Sequence, residues 1–327
     1  MQSRELGRTH RSVGVVGLGA WQLGADWGDV TEEAAHEVLS AAVDAGTTFI
    51  DTADVYGDGR SERLVGAFVR EHPEAGLTVA TKMGRRAVQD PAEFTLDAFR
   101  AWTDRSRDNL GVDTLDLVQL HCPPTAVLSS DQVYADLDQL VAEGRIAAYG
   151  VSVETCAEAL TAIARPGVAT IQIILNPLRR KPLDAVLPAA QAAGVGIIVR
   201  VPLASGLLSG RYTAQTTFAA DDHRTYNRDG SAFDVGETFA GVPFEIGVEV
   251  VDGMAADLGP DVPLAAAALR WSIDQPGVSV VIPGARNAAQ ARANAWAADL
   301  APLSPDVEAA WQARYDTVVR PLVHDRW

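Results

Sequence analysis

Short apolar runs rich in β-branched residues alternate along the chain with longer amphipathic stretches rich in alanine. In the longer stretches the apolar residues recur every three or four positions, which predicts helices, whereas the short runs are apolar on both faces, as buried parallel strands are. The predicted strands are residues 13–18, 48–51, 77–82, 115–121, 146–152, 169–174, 196–201 and 278–282. The predicted helices between them include residues 31–45, 61–69, 95–110, 131–143, 154–163, 184–193, 244–258 and 287–297.

Residues at the ends of several predicted helices carry capping chemistry. Thr31 precedes the first helix and is expected to accept hydrogen bonds from its first amide groups. Gly46 follows the same helix, at the position where a left-handed residue closes many helices. Gly111 and Asp113 separate another helix from the strand at 115–121.

The alternation of strands and helices predicts an α/β fold with a parallel sheet. We predict a (β/α)8 TIM barrel, one domain over residues 1–327 with an N-terminal β-hairpin and an extra C-terminal helix, because barrel closure removes both edges of the sheet. A doubly wound open sheet is the alternative. It calls for a G-x-G-x-x-G turn after the first strand, and Gly17, Gly19 and Gly24 do not keep that spacing.

Composition limits the class of protein. The chain has 327 residues, of which 47% are hydrophobic and 21% charged, as in globular proteins, and its net charge of −16 argues against binding to nucleic acid or to anionic membranes. The N-terminus lacks a signal-type apolar run and no stretch reaches the roughly 18 apolar residues of a membrane span. The two cysteines, Cys122 and Cys156, cannot form a disulfide framework and match no metal motif, so we expect a cytoplasmic protein without a metal site. The oligomeric state stays open.

One segment breaks the regular alternation. Residues 212–242 show no steady period and contain turn formers, acidic pairs and aromatic residues. Loops of this length in a compact domain are usually functional or disordered, and this one follows the seventh strand, on the side where barrel loops build the active site. We expect it to act as a lid, with Asp222 and Arg224 near the phosphates or adenosine of a cofactor. After Trp296 we expect a short terminal helix outside the barrel, anchored by Trp311 and Tyr315.

Four polar residues stand at or just beyond the ends of successive predicted strands. Asp51 and Tyr56 follow the second strand, Lys82 the third and His121 the fourth, and in a barrel these ends converge on one mouth. Hydride arriving at a carbonyl carbon leaves an alkoxide, which needs a proton donor and positive neighbours. Tyrosine has an unperturbed pKa of about 10, and a nearby ammonium, itself held by a carboxylate, lowers that pKa. An imidazole N–H can orient the carbonyl oxygen.

Each of these residues, taken singly, has an ordinary structural explanation. An aspartate at a strand end often caps a helix or forms a turn, as we expect of Asp54 and Asp58, and a tyrosine, a lysine or a histidine there can be a rim, solvated or core residue. The occurrence of all four at matching strand ends favours the catalytic interpretation. We assign structural roles to Cys122 and to the remaining histidines: His10, His36, His72, His223 and His324.

The four residues lie in segments that closely resemble the aldo-keto reductase family: DTADVY at 51–56, TKMG at 81–84 and LVQLHCP at 117–123. The likeness covers the whole chain, from VGLGAWQLG at 16–24 to VIPGARNAAQARAN at 281–294. It implies that Tyr56 is the general acid/base, that Lys82 and Asp51 tune it, and that His121 orients the carbonyl. Hydride would come directly from a nicotinamide cofactor, without metal or flavin.

The resemblance also implies a cofactor site. Ser152, Gln172 and Asn176 fall at strand ends where the family binds the nicotinamide carboxamide, and the run 202–210 resembles the loop around the pyrophosphate. After the last strand a predicted helix begins, and its N-terminal dipole and amides favour phosphate; Arg286 there favours NADPH over NADH. The expected cofactor residues are Ser152, Gln172, Arg200, Pro202, Leu203, Ser205, Gly206, Leu208, Gly210, Gly284, Arg286, Gln290 and Asn294.

Three positions depart from the family pattern. The pair Ser152-Val153 follows the fifth strand, where Ser-Asn is common in the family, so one contact to the carboxamide is missing or replaced. Arg200 stands where many relatives carry an aromatic residue under the nicotinamide, and its charge should favour the reduced, neutral cofactor. Gln290 stands where some members have a second arginine, so that the preference for the 2′-phosphate is expected to be modest.

The substrate pocket is the part that the sequence determines least. Trp21 and Trp27 are candidates for an apolar wall, and no carboxylate clamp is evident. The main hypothesis is a reductase of aldehydes, ketones or sugar carbonyls. An epimerase or lyase that uses bound NADP(H) transiently is an alternative, as is a cofactor-sensing subunit, although a sensor needs the pocket but not the acid. A metal-dependent hydrolase is disfavoured because histidines and carboxylates do not cluster at the strand ends.

Overall fold

The structure, a computed structural model, describes residues 1–24 and 30–327. Its strands are β1 Ser3–Glu5, β2 Ser12–Gly14, β3 Leu18–Gly19, β4 Phe49–Asp51, β5 Thr78–Met83, β6 Leu117–His121, β7 Tyr149–Ser152, β8 Val168–Ile174, β9 Gly196–Arg200 and β10 Val278–Val281. Its α-helices are α1 Glu32–Asp44, α2 Arg60–Glu71, α3 Leu96–Leu110, α4 Thr125–Leu128, α5 Asp131–Ala142, α6 Cys156–Ile163, α7 Pro182–Ala193, α8 His223–Tyr226, α9 Phe244–Ala256, α10 Leu264–Asp274, α11 Ala288–Trp296, α12 Pro305–Arg314 and α13 Arg320–Val323.

Strands β3 to β10 form one parallel sheet in chain order, as the (β/α)8 prediction requires. The sheet curls until its two ends meet: Val16 pairs with Val281 and Gly19 with Gly284, both in parallel. The Gly17 amide donates to Val281 O at 2.8 Å, and the Val281 amide donates to Val15 O at 3.0 Å. The predicted TIM barrel is therefore confirmed.

The interior of the barrel is layered because every second residue of a strand points inward. An apolar layer contains Phe49, Ala80, Leu117, Ile198 and Val280, and it packs separately from the larger core between strands and helices. Two residues further along four of these strands come Asp51, Lys82, Gln119 and Arg200, all buried. These four buried polar residues form the layer nearest the mouth, and the apolar layer lies directly beneath them.

The first predicted strand, 13–18, is wrong in its extent. Its first part belongs to β2, which pairs antiparallel with β1 in the expected N-terminal hairpin, and only its last residue enters barrel strand β3. Leu6 and Val13 of the hairpin region join the apolar layer and close the bottom of the barrel. The run looked continuous because both of its parts face apolar interior.

The helix ends follow the expected chemistry. The Thr31 side chain accepts from the Ala34 amide at 3.2 Å, and Gly46 and Gly111 have left-handed φ values of +93° and +70°. The C-terminal helix is present as α12, where Trp311 is fully buried and its Nε1 donates to Met254 O at 3.2 Å. Tyr315 follows it and is also buried, so both expected anchors hold the tail against the barrel.

Within residues 1–24 and 30–327, the helices are too short or too polar for any of them to traverse a lipid bilayer.

Candidate active site

The four residues predicted from the strand ends meet at the mouth of the barrel. Lys82 Nζ donates to Asp51 Oδ1, to Thr52 O at 2.9 Å and to the Tyr56 hydroxyl at 3.2 Å. The Tyr56 and His121 rings lie edge to face, with centroids 5.9 Å apart. Asp51 ends β4, Lys82 is the penultimate residue of β5 and His121 ends β6, so three neighbouring strands bring these side chains to the same end of the barrel.

A layer of amides holds the second oxygen of Asp51. Gln172 Nε2 donates to Asp51 Oδ2 at 2.7 Å, and Gln119 Nε2 donates to the same oxygen at 3.1 Å. Gln172 also donates to Gln119 Oε1 at 3.2 Å. Sequence analysis assigned Gln172 to the cofactor and gave Gln119 no role. The signal was available, because Gln119 lies two residues before His121 on the same inward face of β6.

The pKa of Tyr56 differs from the expectation. Burial raises it above its ordinary value, and the Lys82 ammonium opposes that rise without overcoming it. Burial also lowers the pKa of Lys82, but the neighbouring Asp51 and Tyr56 outweigh this and raise it overall. The expected lowering of the Tyr56 pKa by Lys82 is present, but burial outweighs it, so the net shift is upward. At neutral pH the hydroxyl is a neutral phenol that can give a proton, and Lys82 stays charged beside it.

His121 is neutral at physiological pH. Burial lowers the pKa of its ring well below the ordinary value, and the charges of Arg85 and Lys82 lower it further. Its Nδ1 is buried and accepts or donates no hydrogen bond within the described residues. A neutral imidazole carries one N–H and so can serve as a hydrogen-bond donor without titrating near pH 7.

Arg200 lies in an ion cluster at the same mouth. Its Nη2 donates to Glu154 Oε2 at 2.7 Å and to Val153 O at 3.1 Å, and its Nη1 is 3.3 Å from Glu237 Oε1. Arg85 Nη1 lies 3.7 Å from the same Glu237 oxygen. Arg200 therefore pairs with the Glu154 carboxylate and also lies close to Glu237 and Arg85. The effect of its charge on the affinity for the reduced over the oxidised cofactor stays a prediction.

A cavity of about 440 Å³ opens beside these residues. Tyr56, His121, Gln172 and Arg200 line it together with residues that follow β3, β9 and β10. Its volume is within the usual range for small-molecule and cofactor sites. Across residues 1–24 and 30–327, no group of three or more His, Cys, Asp or Glu side chains is placed to hold a metal ion.

Comparison with known proteins assigns this barrel and its mouth to one family: a model of the aldo/keto reductase family matches residues 15–316. The chain belongs to the aldo/keto reductase family. It is 31% identical over 285 residues to aldo-keto reductase YhdN of Bacillus subtilis (strain 168), covering 85% of this chain and 83% of that protein. It is 28% identical over 311 residues to a D-threo-aldose 1-dehydrogenase of a Pseudomonas species, covering 87% and 89%. The solved structure of a glycerol dehydrogenase from Gluconobacter oxydans is similar, with a TM-score of 0.77 and 27% identity over 98% of this chain and 96% of that one.

This aldo-keto reductase is an oxidoreductase that depends on a nicotinamide cofactor and acts on small molecules. Most of the expected cofactor residues line the cavity. They are Gln172, Arg200, Pro202, Leu203, Ser205, Gly206, Gly284, Arg286, Gln290 and Asn294. Trp21, expected at the substrate, also lines it, whereas Trp27 lies outside the described residues.

Four expected cofactor residues do not line the cavity. Ser152 Oγ lies 3.5 Å from Cys122 Sγ, and Asn176 Nδ2 donates to Val201 O at 3.0 Å, so Asn176 shapes the turn after β9. Leu208 is fully buried in the core, and Gly210 ends the short 3-10 helix Ala204–Ser209. Alternate residues of such a turn point to opposite sides, which a run of sequence letters does not reveal.

Several cavity residues were missed. Gln22, Ser209, Arg211, Tyr212, His223 and Glu237 all line it, and the structural role given to His223 is therefore incomplete. Three of these residues lie in the 212–242 segment, where the lack of a period hides which side chains point inward.

Contacts within the 212–242 segment and with the rest of the chain hold its middle and its C-terminal part. Ser205 Oγ donates to Glu237 O at 2.7 Å, and Arg224 pairs with the Asp222 carboxylate. Trp327 Nε1 donates to Asp234 Oδ1 at 3.0 Å, and the Arg179 guanidinium stacks 3.9 Å above the Trp327 ring. These contacts fix the inward side chains of the segment at the mouth of the barrel.

The backbone is strained where the strands open into the mouth. Cys122 and Val201, the residues directly after β6 and β9, have φ values of +46° and +50°. A β-branched residue rarely adopts this region, and such strain costs about 1–3 kcal/mol per residue and clusters at functional sites. The strain turns the chain sharply beside His121 and Arg200.

Burial of His223 makes stability depend on pH. Burial lowers the pKa of its ring to about 4, against about 6.5 in the unfolded chain. Between these values the unfolded state binds more protons, so acidification from pH 7 to pH 5 should lower the free energy of unfolding by about 2 kcal/mol through this group alone. We expect His223→Gln to remove that part of the pH dependence in urea unfolding. His10→Asn, at an exposed position, is the control for the loss of an imidazole. If the free energy of unfolding changed equally with pH in His223→Gln and in the native protein, His223 would not be the source of this pH dependence.

Proposed function

We propose that this protein reduces an aldehyde, ketone or sugar carbonyl to an alcohol with NADPH, and that Tyr56 is its general acid. The observation that carries the proposal is the Tyr56 hydroxyl, which receives a hydrogen bond from the buried Lys82 at 3.2 Å and faces a cavity that His121 also lines. The proton donor Tyr56, the positive charge of Lys82 and the N–H donor His121 thus lie together at the mouth of the barrel. A sensor that only binds cofactor has no need of them.

The residues divide the work as follows. His121 donates an N–H to the carbonyl oxygen and orients it, and Tyr56 passes its proton to the same oxygen as negative charge develops there. Lys82 stabilises the phenolate that remains, and Asp51, with Gln119 and Gln172, keeps the ammonium in place. NADPH would supply the hydride when bound. In the oxidative direction the proton moves back along the same path.

The cavity fits such a cofactor on three observations. Arg200 Nε and Gln22 Oε1 are buried at its wall without a hydrogen-bond partner in the described residues, so they offer one donor and one acceptor. At Gly284 a Cβ would lie 2.1 Å from Gln22 Nε2, so the glycine lets the Gln22 amide pack against the backbone at the cavity wall. The turn at Ser205 and Gly206 lines the cavity and has φ values of +56° and +88°, a left-handed turn conformation of the kind that binds anions in other proteins.

Arg286 is our candidate for recognition of the 2′-phosphate. It lines the cavity just before α11, where its backbone amide donates to Gln290 Oε1 at 2.8 Å. We expect Arg286→Gln to weaken NADPH binding about 10-fold, the typical effect of losing a charge-assisted hydrogen bond, and to leave NADH binding unchanged. Titration by fluorescence with each cofactor measures this. Arg292→Gln, exposed on the same helix, is the control, and an equal loss for both cofactors would show that Arg286 reads another part of the molecule.

We also propose that the 212–242 segment closes over the cofactor, within a single barrel domain. Tyr212, His223, Arg224 and Glu237 reach the cavity from it, and Arg224 is already paired with Asp222. Closure of such a segment excludes water from the path of the hydride.

The decisive test is NADPH oxidation with a panel of aldehydes, ketones, keto-sugars and quinones, with NADH alongside. We expect turnover with at least one class of carbonyl and a faster rate with NADPH. Cofactor binding without turnover of any carbonyl would favour an internal-redox enzyme or a cofactor sensor instead. Absence of cofactor binding would remove the proposal.

A further inference from the structure

Glu237 brings a carboxyl group into the reaction chamber from outside the barrel. It belongs to the short 3-10 turn Val235–Glu237 in the 212–242 segment, and its side chain is only 13% exposed. It lines the same cavity as Tyr56, His121 and Trp21. Asp51 is the other acidic residue among the described residues that line this cavity, and its carboxylate is taken up by Lys82 and two glutamines. The mechanism above assigns Glu237 no part.

The position of this carboxyl is fixed from several sides. Its Oε1 faces both Arg200 Nη1, at 3.3 Å, and Arg85 Nη1, at 3.7 Å, while its carbonyl oxygen accepts from Ser205 Oγ. The residues after it turn back through a left-handed backbone, with φ of +53° at Phe239 and +57° at Ala240. Such a conformation is costly and persists only where the surroundings impose it. The turn thus holds Glu237 against the chamber.

The chamber has one aromatic side and one polar side. Trp21 lies at the centre of the aromatic side, with ring centroids 6.1 Å from Tyr56, 5.4 Å from His223 and 6.2 Å from Phe233. Glu237 and Arg200 form the polar side. A short carbonyl compound with C–H groups on one face and hydroxyl groups on its edge satisfies both sides. A plain aldehyde leaves the polar side without a hydrogen-bond donor.

The electrostatics suit hydrogen bonding to a hydroxyl. Burial raises the pKa of Glu237 to about 7, while the pKa of its neighbour Glu154 is lowered to about 2, chiefly because Arg200 outweighs the effect of burial. Glu237 therefore exists in both protonation states near neutral pH and can accept or donate a hydrogen bond. Burial and then Asp51 raise the pKa of Tyr56, and the charge of Glu237 adds a smaller rise, which places the carboxyl within electrostatic reach of the proton donor.

We propose that Glu237 is a specificity-determining residue that hydrogen-bonds a substrate hydroxyl on a carbon next to the carbonyl. The enzyme then prefers hydroxylated carbonyl compounds over plain ones of the same chain length. The assignment rests on the proposed reductase function, and it adds to that function the class of substrate.

The test compares glyceraldehyde with propanal, which have the same three carbons and differ in two hydroxyls. We expect Glu237→Leu to lower the ratio of their kcat/KM values about 10-fold, as loss of a hydrogen bond to a charged group does, while kcat/KM for propanal stays nearly constant. Aldehyde hydration cancels because each substrate is compared between variants. Glu154→Gln removes the other carboxylate on Arg200 without lining the cavity, and it should not lower the ratio, because Glu154 raises the pKa of Glu237 and its loss keeps Glu237 ionised.

Glu237→Gln gives a second measurement that does not depend on how well the leucine variant folds. A carboxylate accepts a stronger hydrogen bond than a carboxylic acid, so the ratio in the native enzyme should rise as pH increases through about 7. The titratable and charged groups that face Glu237 are Arg200, Arg85, Glu154, Cys122 and Tyr56, and all of them remain in the variant. With glutamine the ratio should be flat across this range.

The outcomes separate this assignment from the proposed function. An unchanged ratio in Glu237→Leu, with cofactor binding and propanal turnover intact, would overturn it. Equal loss of both substrates would also overturn it, because Glu237 would then act only through Arg200 or the fold. Failure of the native enzyme to reduce either aldehyde, or any other carbonyl, would contradict the reductase function itself and this assignment with it.

Discussion

Tyr56→Phe is expected to lower kcat for carbonyl reduction about 10³-fold, within the range for removal of a general acid, without weakening cofactor binding. The phenyl ring retains the packing against Trp21 and His121, whose ring centroids lie 6.1 and 5.9 Å away, so the change removes one hydroxyl and little else. Steady-state turnover of the best carbonyl in the panel measures kcat, and quenching of protein fluorescence measures NADPH binding. The loss should appear in kcat and in kcat/KM alike.

Tyr134→Phe provides the matched control. This tyrosine is buried on α5, away from the cavity, and its hydroxyl has no hydrogen-bond partner within the described residues. Its removal should leave turnover unchanged. If Tyr56→Phe kept most of the native rate, the proton would have to come from another group, and the assignment of Tyr56 as the general acid would be wrong.

Lys82→Met is expected to impair both chemistry and stability. The change leaves the Asp51 carboxylate buried with only the amides of Gln119 and Gln172, and breaking a buried ion pair in this way costs about 3 kcal/mol of unfolding free energy. The phenolate of Tyr56 also loses its nearest positive charge, so we expect a loss of about 10²-fold in kcat/KM. Urea unfolding and steady-state kinetics measure the two effects.

The double variant Asp51→Asn/Lys82→Met separates them. It removes both charges, so most of the lost stability should return, because the penalty lies mainly in the unpaired carboxylate. Activity should stay low, because the ammonium is still absent. A double variant as unstable as Lys82→Met would show that the lysine stabilises the barrel through packing and through its bond to Thr52 O, not through the ion pair.

The layered interior of the barrel explains why the sequence predicted the four residues at the strand ends but not the glutamines that hold Asp51. Asp51, Lys82 and His121 are recognisable in the sequence as polar residues at the ends of apolar strands. In a parallel barrel the C-terminal ends of all strands lie at the same mouth. Gln119 sits inside an apolar strand and gains its role only because closure brings it opposite Asp51. The spacing of two residues before His121 places Gln119 on the inward face of β6, but only the folded barrel shows that its partner is Asp51.

The sign of the Tyr56 pKa shift shows a second limit. The sequence predicted that Lys82 lowers the pKa of Tyr56. The net shift in pKa depends both on this attraction and on the cost of burying a phenolate, and burial has the larger effect. The same holds for Arg200, which pairs with Glu154 and lies close to Glu237. Neither the depth of burial nor the distant partner can be read from the neighbours of a residue in the chain.

By itself, the sequence determined the fold class, the strand and helix order, the capping residues and the four residues of the proposed catalytic set. It did so because each depends on a period, a cap or a strand end, which are local properties of the chain. Tertiary structure alone decided where β2 ends and the barrel begins, which side chains of the 202–210 turn and the 212–242 segment face the cavity, and how the charges at the mouth are paired. Those features depend on barrel closure and on contacts between residues far apart in sequence, and their energies are set by burial, which only the folded chain defines.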